Sequence, residues 1–153
     1  MINIAIIDYG SGNLRSAVKA FEHTVKDLNT KVSVNITENS SDLDKATHIV
    51  LPGVGAFGDC INAINNLIDM REALDKAVIR DGKPFLGICV GMQLLAKIGK
   101  EYGSHKGLGW LNSEVVPIDT LGSKIKIPHM GWNNLMISNR HPIFEGIPNK
   151  SHA

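Results

Sequence analysis

The chain has 153 residues, of which 43% are hydrophobic and 20% are charged, and its formal net charge is +1. This balance predicts a globular domain with a core of its own and gives no electrostatic basis for binding nucleic acid or an anionic membrane. No apolar run approaches the roughly 20 residues that a membrane helix needs, and the two cysteines make neither a disulfide framework nor a metal-type pair.

Strands and helices alternate along the first hundred residues. The apolar run at residues 2–7 predicts a strand buried on both faces, and after a glycine loop the apolar residues from Leu14 to Leu28 recur at helical spacing. The same reasoning predicts further strands at residues 31–37, 47–51 and 84–88 and further helices around residues 61–68 and 74–78. A last helix is expected after the fourth strand, marked by Met92, Leu95, Ala96 and Ile98.

This alternation predicts an α/β fold with a doubly wound, mostly parallel sheet. After about residue 99 the long helical patterns stop, and short segments at residues 114–118, 124–127 and 135–137 predict antiparallel strands on the edge of the sheet after about residue 110. We expect a single domain over residues 1–153, because no linker or repeat interrupts the pattern. Residues 142–153 have the composition of a connecting loop, so the domain is expected to be incomplete at its C-terminus.

Cys89 lies in a Gly-Ile-Cys-Val-Gly pattern at residues 87–91, between a predicted strand and a predicted helix. A nucleophile elbow has this arrangement, because glycines let strand and helix cross closely and a strained turn lifts the nucleophile out of the sheet. The start of a helix favours the thiolate and so lowers the pKa of the cysteine, and the Val90 N–H is placed to bind a developing oxyanion. The alternative is a small buried cysteine without chemistry, which is the role expected of Cys60.

Two glycine loops follow predicted strands. The Pro-Gly-Val-Gly loop, residues 52–55, follows the third strand at the sheet edge where doubly wound folds place their sites. Its glycines let backbone N–H groups turn toward a ligand, so a phosphate cradle and an ordinary tight turn are both open interpretations. The Gly-Ser-Gly-Asn segment at residues 10–13 is a second candidate phosphate loop, since small residues at a helix start make an anion site.

The segment Gly-Ile-Cys-Val-Gly-Met-Gln at residues 87–93 resembles the nucleophile motif of class I glutamine amidotransferases. The resemblance implies their flavodoxin-like α/β fold and a reaction in which Cys89 attacks the side-chain amide of glutamine, forms a glutamyl thioester and releases ammonia. It also implies that the Val54 N–H supplies the second oxyanion donor. Gly53 and Gln93 are expected to help bind the substrate glutamine, and neither an organic cofactor nor a metal is implied.

Two further motifs resemble those of the amidotransferase subunits of imidazole glycerol phosphate synthase, which act in histidine biosynthesis. They are Asp-Tyr-Gly-Ser-Gly-Asn-Leu at residues 8–14 and Pro-His-Met-Gly-Trp-Asn at residues 128–133. The resemblance implies a heterodimer with a cyclase subunit of (β/α)-barrel fold that receives the ammonia, with Asn13 and Trp132 at the interface. The alternative for Trp132 is a side chain that caps the edge of the core. Neither nucleic acid nor a membrane is expected as a partner, and the expected location is the cytoplasm.

The catalytic base is the main departure from the family. A cysteine nucleophile needs a base and a group that orients it, and the family supplies both from a Phe-His-Pro-Glu-like segment that this sequence lacks. His129 is the first alternative base, although the resemblance does not place the base there. We therefore expect an inactive fragment of a longer amidotransferase in preference to a chain that has lost its glutaminase. Two rival functions stay open: an amidotransferase-like binding module, and the related subunit that serves sugar amidation for surface polysaccharides.

Overall fold

The computed structural model describes residues 1–119, 122, 126–128 and 130–152, and the chain divides into two compact units. The first unit, Met1–Pro117, contains both sheets and all the residues predicted to act on glutamine, and the second unit, Ile118–Ala153, contains Trp132. None of the helices in the described ranges is long and apolar enough to cross a membrane.

The first unit is built on a four-stranded parallel sheet. Across the sheet the strands are β2 (Val32–Thr37), β1 (Ile2–Ile7), β3 (His48–Gly53) and β4 (Phe85–Cys89). Alternate residues of β1 pack into two separate apolar clusters, so the sheet is buried on both faces. The predicted doubly wound, mostly parallel α/β fold is thereby confirmed.

Helices supply the apolar side chains on the two faces. α1 (Leu14–Thr24) packs on one face through the apolar stripe that its sequence predicts. The short α2 (Asp42–Lys45) is not predicted by the pattern of apolar residues. On the other face lie α3 (Phe57–Asn66) and α4 (Met70–Leu74), and α4 continues into a π-helical turn at Asp75–Arg80. The predictions of helices near residues 61–68 and 74–78 are confirmed, although the helix boundaries differ from those predicted.

The predicted apolar stripes extend beyond the ends of the first and third helices. Leu28 and Ile68 are both exposed, Ile68 to 84%. The first helix gives way to a 3-10 turn at Val25–Asp27, and α3 ends at Asn66. The prediction that these two side chains belong to buried helix faces is therefore wrong, because each helix stops before reaching them.

The helix after the fourth strand is much shorter than predicted. α5 (Val90–Gln93) is a single turn, and the chain then enters strand β5 (Ala96–Gly99). The prediction of a helix that extends to Ile98 is wrong, because sheet hydrogen bonds take up the backbone of this segment. The Lys97 carbonyl of β5, for example, accepts a hydrogen bond from the Gly107 N–H at 3.0 Å.

β5 is the central strand of a second, three-stranded sheet. It pairs antiparallel with β6 (His105–Lys106) and parallel with β7 (Leu111–Val115). The observed strands differ from the antiparallel edge strands predicted after residue 110. The segment 114–118 overlaps β7 only at its start, β7 runs parallel to its neighbour, and the antiparallel pair comes earlier in the chain.

The described residues of the second unit contain little regular structure. Asn134 and His152 form an isolated antiparallel bridge, and a 3-10 turn covers Pro142–Phe144. The strand predicted at residues 135–137 is therefore not formed, because the pairing is limited to that bridge. The strand predicted at residues 124–127 lies mostly outside the described residues.

A substitution at Phe57 measures how much the larger of the two apolar clusters, the one that includes α3 and α4, contributes to stability. Its ring is fully buried and lies directly over Gly99, where a Cβ would come within 2.4 Å of it. We expect Phe57→Ala to lower the free energy of unfolding by about 3–5 kcal/mol, because it leaves a cavity in the core. Ile68→Ala is the matched control at an exposed site and should cost less than about 0.5 kcal/mol. Urea denaturation measures both values, and equal losses would contradict the packing described.

Candidate active site

Cys89 ends β4 at the carboxyl edge of the parallel sheet, and its side chain is exposed. Its backbone has φ 54° and ψ −118°, in a region that residues with a side chain rarely occupy. Such a conformation costs about 1–3 kcal/mol and persists where the surroundings enforce it, most often at functional sites. The geometry of the predicted elbow is therefore present, and the nucleophilic role of Cys89 stays a prediction.

The turn at Cys89 is enforced where three backbones approach one another at glycines. A Cβ on Gly91 would lie 1.8 Å from the Leu51 carbonyl oxygen, and a Cβ on Gly87 would lie 2.8 Å from the Gly91 carbonyl oxygen. A Cβ on Gly53 would come within 2.6 Å of the Gly91 nitrogen. No side chain fits at these three positions, which confirms that the glycines allow strand and helix to cross.

A cavity of about 320 Å³ lies beside Cys89. Gly53 is opposite Cys89 in the pairing of β3 with β4, so the Pro-Gly-Val-Gly loop begins next to the cysteine. The cavity brings together four of the predicted site residues, namely Asn13, Gly53, Val54 and Cys89. Its remaining lining residues are Ser16, Ala17, Pro52 and Ile88, and the structure does not place Val90 or Gln93 among them.

The Val54 N–H, predicted as the second oxyanion donor, has an acceptor within the chain. It donates to the Ser11 Oγ at 3.0 Å, and the Ser11 hydroxyl in turn donates to the Val54 carbonyl. An N–H carries one hydrogen, so this donor is not free for a substrate oxygen while the contact persists. Oxyanion binding by Val54 therefore requires that the Ser11 contact be replaced.

Val90 and Gln93 are the first and last residues of α5. The Val90 side chain is buried, and its N–H is among those at a helix start that have no acceptor within the helix. Gln93 is half-buried at the other end of the turn. Because α5 has only one turn, it aligns fewer peptide dipoles behind the cysteine than the long helix that the sequence pattern predicts.

The two predicted partner contacts lie in different units. Asn13 is the N-cap of α1, and its Oδ1 accepts a hydrogen bond from the Ser16 N–H at 3.2 Å. This cap gives Asn13 a structural role in addition to its place in the cavity lining. Trp132 in the second unit is 85% exposed, so it does not cap a core there. Its role as an interface anchor stays a prediction.

No histidine of the described ranges lines the cavity beside Cys89. His48 bonds through Nδ1 to the hydroxyl of the preceding residue, His105 packs against the start of α3, and His141 caps the 3-10 turn of the second unit. His129 lies outside the described residues, so its role as an alternative base stays a prediction. Within the described part of the chain there is also no group of three side chains that could hold a metal ion.

Tyr9 is a neighbour of the site that the sequence pattern does not single out. Its side chain is 6% exposed, and its hydroxyl donates to the Pro52 carbonyl at 2.7 Å. Burial, and then the neighbouring Cys60 thiol, raises the pKa of Tyr9 well above its usual value. Tyr9 is therefore a neutral hydrogen-bond donor at physiological pH. The sequence feature that could have identified Tyr9 is its position between the first buried strand and the glycine loop at residues 10–13.

The elbow, the adjoining loop and the parallel sheet agree with what a comparison with protein families finds. The family model described as glutamine amidotransferase class-I matches residues 5–153. The chain belongs to this family. The resemblance carried by the nucleophile motif is thereby confirmed, and the α/β fold it implied is the one observed.

Relatives match this amidotransferase over nearly its whole length. A protein of Agrobacterium fabrum (strain C58) named imidazole glycerol phosphate synthase subunit HisH is 47% identical over 146 residues, which cover 95% of this chain and 68% of the relative. Proteins of the same name from Rhizobium meliloti and Pelagibacter ubique are 46% and 41% identical. Those alignments cover 96% and 99% of this chain and 68% and 71% of the relatives.

The free energy of unfolding of this amidotransferase should fall as the pH rises above about 10. The unfolded chain releases the Tyr9 proton near the usual pKa of 10.0, whereas the folded chain retains it. The stabilisation is therefore complete below pH 10 and declines above it by up to about 1.4 kcal/mol per pH unit. Tyr9→Phe should flatten this decline, and Tyr102→Phe, at a residue that is 91% exposed, should not. Urea unfolding between pH 8 and 11 measures the slopes, and equal slopes for wild type and Tyr9→Phe would contradict the shift.

Proposed function

We propose that the chain acts as the glutaminase subunit of an imidazole glycerol phosphate synthase. The observation that carries the proposal is the strained Cys89 turn at the sheet edge, in a chain of the class-I amidotransferase family with HisH-named relatives. In the proposed reaction the Cys89 sulfur attacks the side-chain amide carbon of glutamine, the C–N bond breaks and ammonia leaves. Water then hydrolyses the glutamyl thioester to glutamate and regenerates the thiol.

The N–H groups of Val90 and Val54 are proposed to bind the oxyanion that forms in both steps. Val90 follows the nucleophile in α5, and Val54 lines the cavity. The Val54 donor becomes available when a substrate oxygen displaces the Ser11 Oγ as its acceptor. Gly53, opposite the nucleophile in the sheet, and Gln93, in α5, are proposed to hold the substrate glutamine.

The ammonia is proposed to pass to a cyclase subunit of (β/α)-barrel fold, in a heterodimer located in the cytoplasm. The name of the relatives, a synthase subunit, supports a second subunit. The exposed Trp132 supports an interface anchor, because tryptophan side chains often carry binding energy. Asn13 lines the cavity, so a partner that contacts it would lie beside the source of ammonia. The family match over residues 5–153 supports one amidotransferase domain.

A second candidate function is an inactive, amidotransferase-like binding module. One observation favours it: among the residues that the structure describes, no histidine lines the Cys89 cavity. A related rival keeps the chemistry but serves sugar amidation, and the HisH-named relatives support the histidine pathway instead. Turnover of glutamine separates the binding module from the enzyme, and the identity of the adjacent synthase gene separates the two pathways.

Cys89→Ala in the subunit expressed from its native gene should abolish glutamine-dependent synthesis, because the thioester cannot form. Ammonia-dependent synthesis by the cyclase should persist, because its own site is unchanged. Steady-state assays with each nitrogen source measure both. Residual glutaminase within about tenfold of wild type would remove Cys89 from the nucleophile role. Iodoacetamide gives a control for accessibility: the native chain should take one label, on the exposed Cys89, while the buried Cys60 reacts after denaturation.

Trp132→Ala should weaken cyclase binding by about 2 kcal/mol or more, roughly 30-fold in affinity. Asn13→Ala should also weaken binding, but it removes the cap of α1 at a cost of about 1 kcal/mol in stability. Asn13→Asp retains a capping oxygen and alters the contact surface, so it separates the two effects. Titration calorimetry and thermal denaturation measure them. Unchanged affinity for both Trp132→Ala and Asn13→Asp would contradict the proposed interface.

Residues 1–153 mixed with purified cyclase should release ammonia from glutamine only at the background rate. The described cavity offers neither a histidine nor a carboxylate to protonate the departing ammonia, a role worth roughly 10² to 10⁴ in rate. A coupled ammonia assay measures the turnover. Robust turnover would mean that a histidine of this chain serves as the base, and His129→Ala would then test the first alternative.

A further inference from the structure

Three side chains converge on the backbone of the Pro-Gly-Val-Gly loop. Tyr9 and Ser11 come from the connection between β1 and α1, and Cys60 comes from α3. The Tyr9 hydroxyl donates to the Pro52 carbonyl at 2.7 Å. The Cys60 thiol donates to the Val54 carbonyl at 3.6 Å and lies 3.7 Å from the Ser11 Oγ. The loop is thus held by two side chains that are 43 residues from their partners in sequence and by a third from the helix that follows the loop.

Two of these contacts fix different peptide groups of the loop. A peptide unit is planar, so holding a carbonyl also fixes the direction of the next N–H. Tyr9 in this way fixes the peptide between residues 52 and 53, and Cys60 fixes the peptide between residues 54 and 55. The Val54 N–H, the proposed oxyanion donor, belongs to the peptide that lies between these two anchored peptides.

Because Tyr9 and Cys60 are buried, their contacts favour one arrangement of the Pro-Gly-Val-Gly loop. Tyr9 is 6% exposed and Cys60 is 2% exposed, so water does not compete freely for their polar atoms. A buried donor or acceptor left without a partner is costly, which favours the one loop arrangement that satisfies both. The phenol also occupies the space beside Gly53, where a Cβ would come within 2.7 Å of the Tyr9 oxygen. Cys60 is buried, as the sequence predicts, and it also contacts the Val54 carbonyl.

We propose that Tyr9 and Cys60 are positioning residues of the glutaminase reaction. They anchor the peptides on either side of the Val54 N–H and so determine where this donor meets the oxyanion that develops beside Cys89. Each acts through the loop backbone and not by touching the substrate. The inference rests on the proposed function, because it requires Val54 to be an oxyanion donor. Since the oxyanion forms in the transition state, a displaced donor should lower kcat more than it raises KM.

The test compares Tyr9→Phe and Cys60→Ala with Cys60→Ser, which retains a hydrogen-bond donor. The subunit expressed from its native gene, bound to its cyclase, should lose roughly tenfold in kcat for glutamine with each of the first two changes. Its KM should stay within about threefold, and Cys60→Ser should recover most of the lost kcat. Thermal denaturation is recorded in parallel. Variants with a lower Tm but wild-type kcat would show a merely structural role and overturn the proposal.

Amide hydrogen exchange gives a readout that does not depend on turnover. Tyr9→Phe and Cys60→Ala should speed exchange at Val54 and Gly55 about tenfold, and Cys60→Ser should do so less. The Leu108 amide, bonded to the Leu94 carbonyl at the end of α5, is the control and should not change. If the wild-type complex expressed from its native genes lacks glutaminase activity, the proposed function is refuted. An active complex in which neither exchange nor kcat responds would refute the positioning role alone.

Discussion

The approach of the Gly91 backbone to the Leu51 carbonyl is the contact on which the geometry of the site depends. Because Gly91 has no Cβ, α5 lies directly against β3, and the chain must turn from β4 into α5 within one residue. Cys89 is that residue, and its left-handed backbone conformation is the consequence. A side chain at Gly91 would push α5 away from the sheet and relax the turn. The strain at the cysteine is therefore maintained by packing two residues further along the chain.

The first sheet could be predicted from sequence, whereas the boundary between α5 and β5 could not. Strands buried on both faces appear as continuous apolar runs, and β1 is one of these. The apolar residues between 92 and 98 satisfy helical spacing equally well, because a short run does not distinguish a buried strand from a helix. Pairing with β6 and β7 decides the outcome, and those partners come later in the chain. The error at Ile68 has a different cause, since apolar periodicity does not mark where a helix ends.

The elbow could be predicted because its sequence signature lies within the five consecutive residues 87–91. The contacts that hold the Pro-Gly-Val-Gly loop could not, since Tyr9 and Pro52, and likewise Ser11 and Val54, are each 43 residues apart. No local sequence pattern predicts a contact between residues so far apart in the chain. The cap by Asn13 is an intermediate case, because an asparagine before a helical stripe is a recognised start signal.

The proposed glutaminase reaction has two structural requirements, one for attack on the amide and one for departure of ammonia, and the described residues meet only part of them. Attack on the amide needs an accessible sulfur and oxyanion donors close to it. In the first unit, β4 ends at the exposed Cys89, and the proposed donors Val90 and Val54 lie in α5 and in the Pro-Gly-Val-Gly loop, where Ser11 accepts the Val54 N–H. Departure of ammonia needs a proton, and the described lining of the cavity holds no histidine or carboxylate that could deliver it. The two requirements are physically separable, because backbone geometry persists without a base. Packing within the first unit can therefore form the proposed glutamine site, whereas turnover there requires a proton donor from outside that lining.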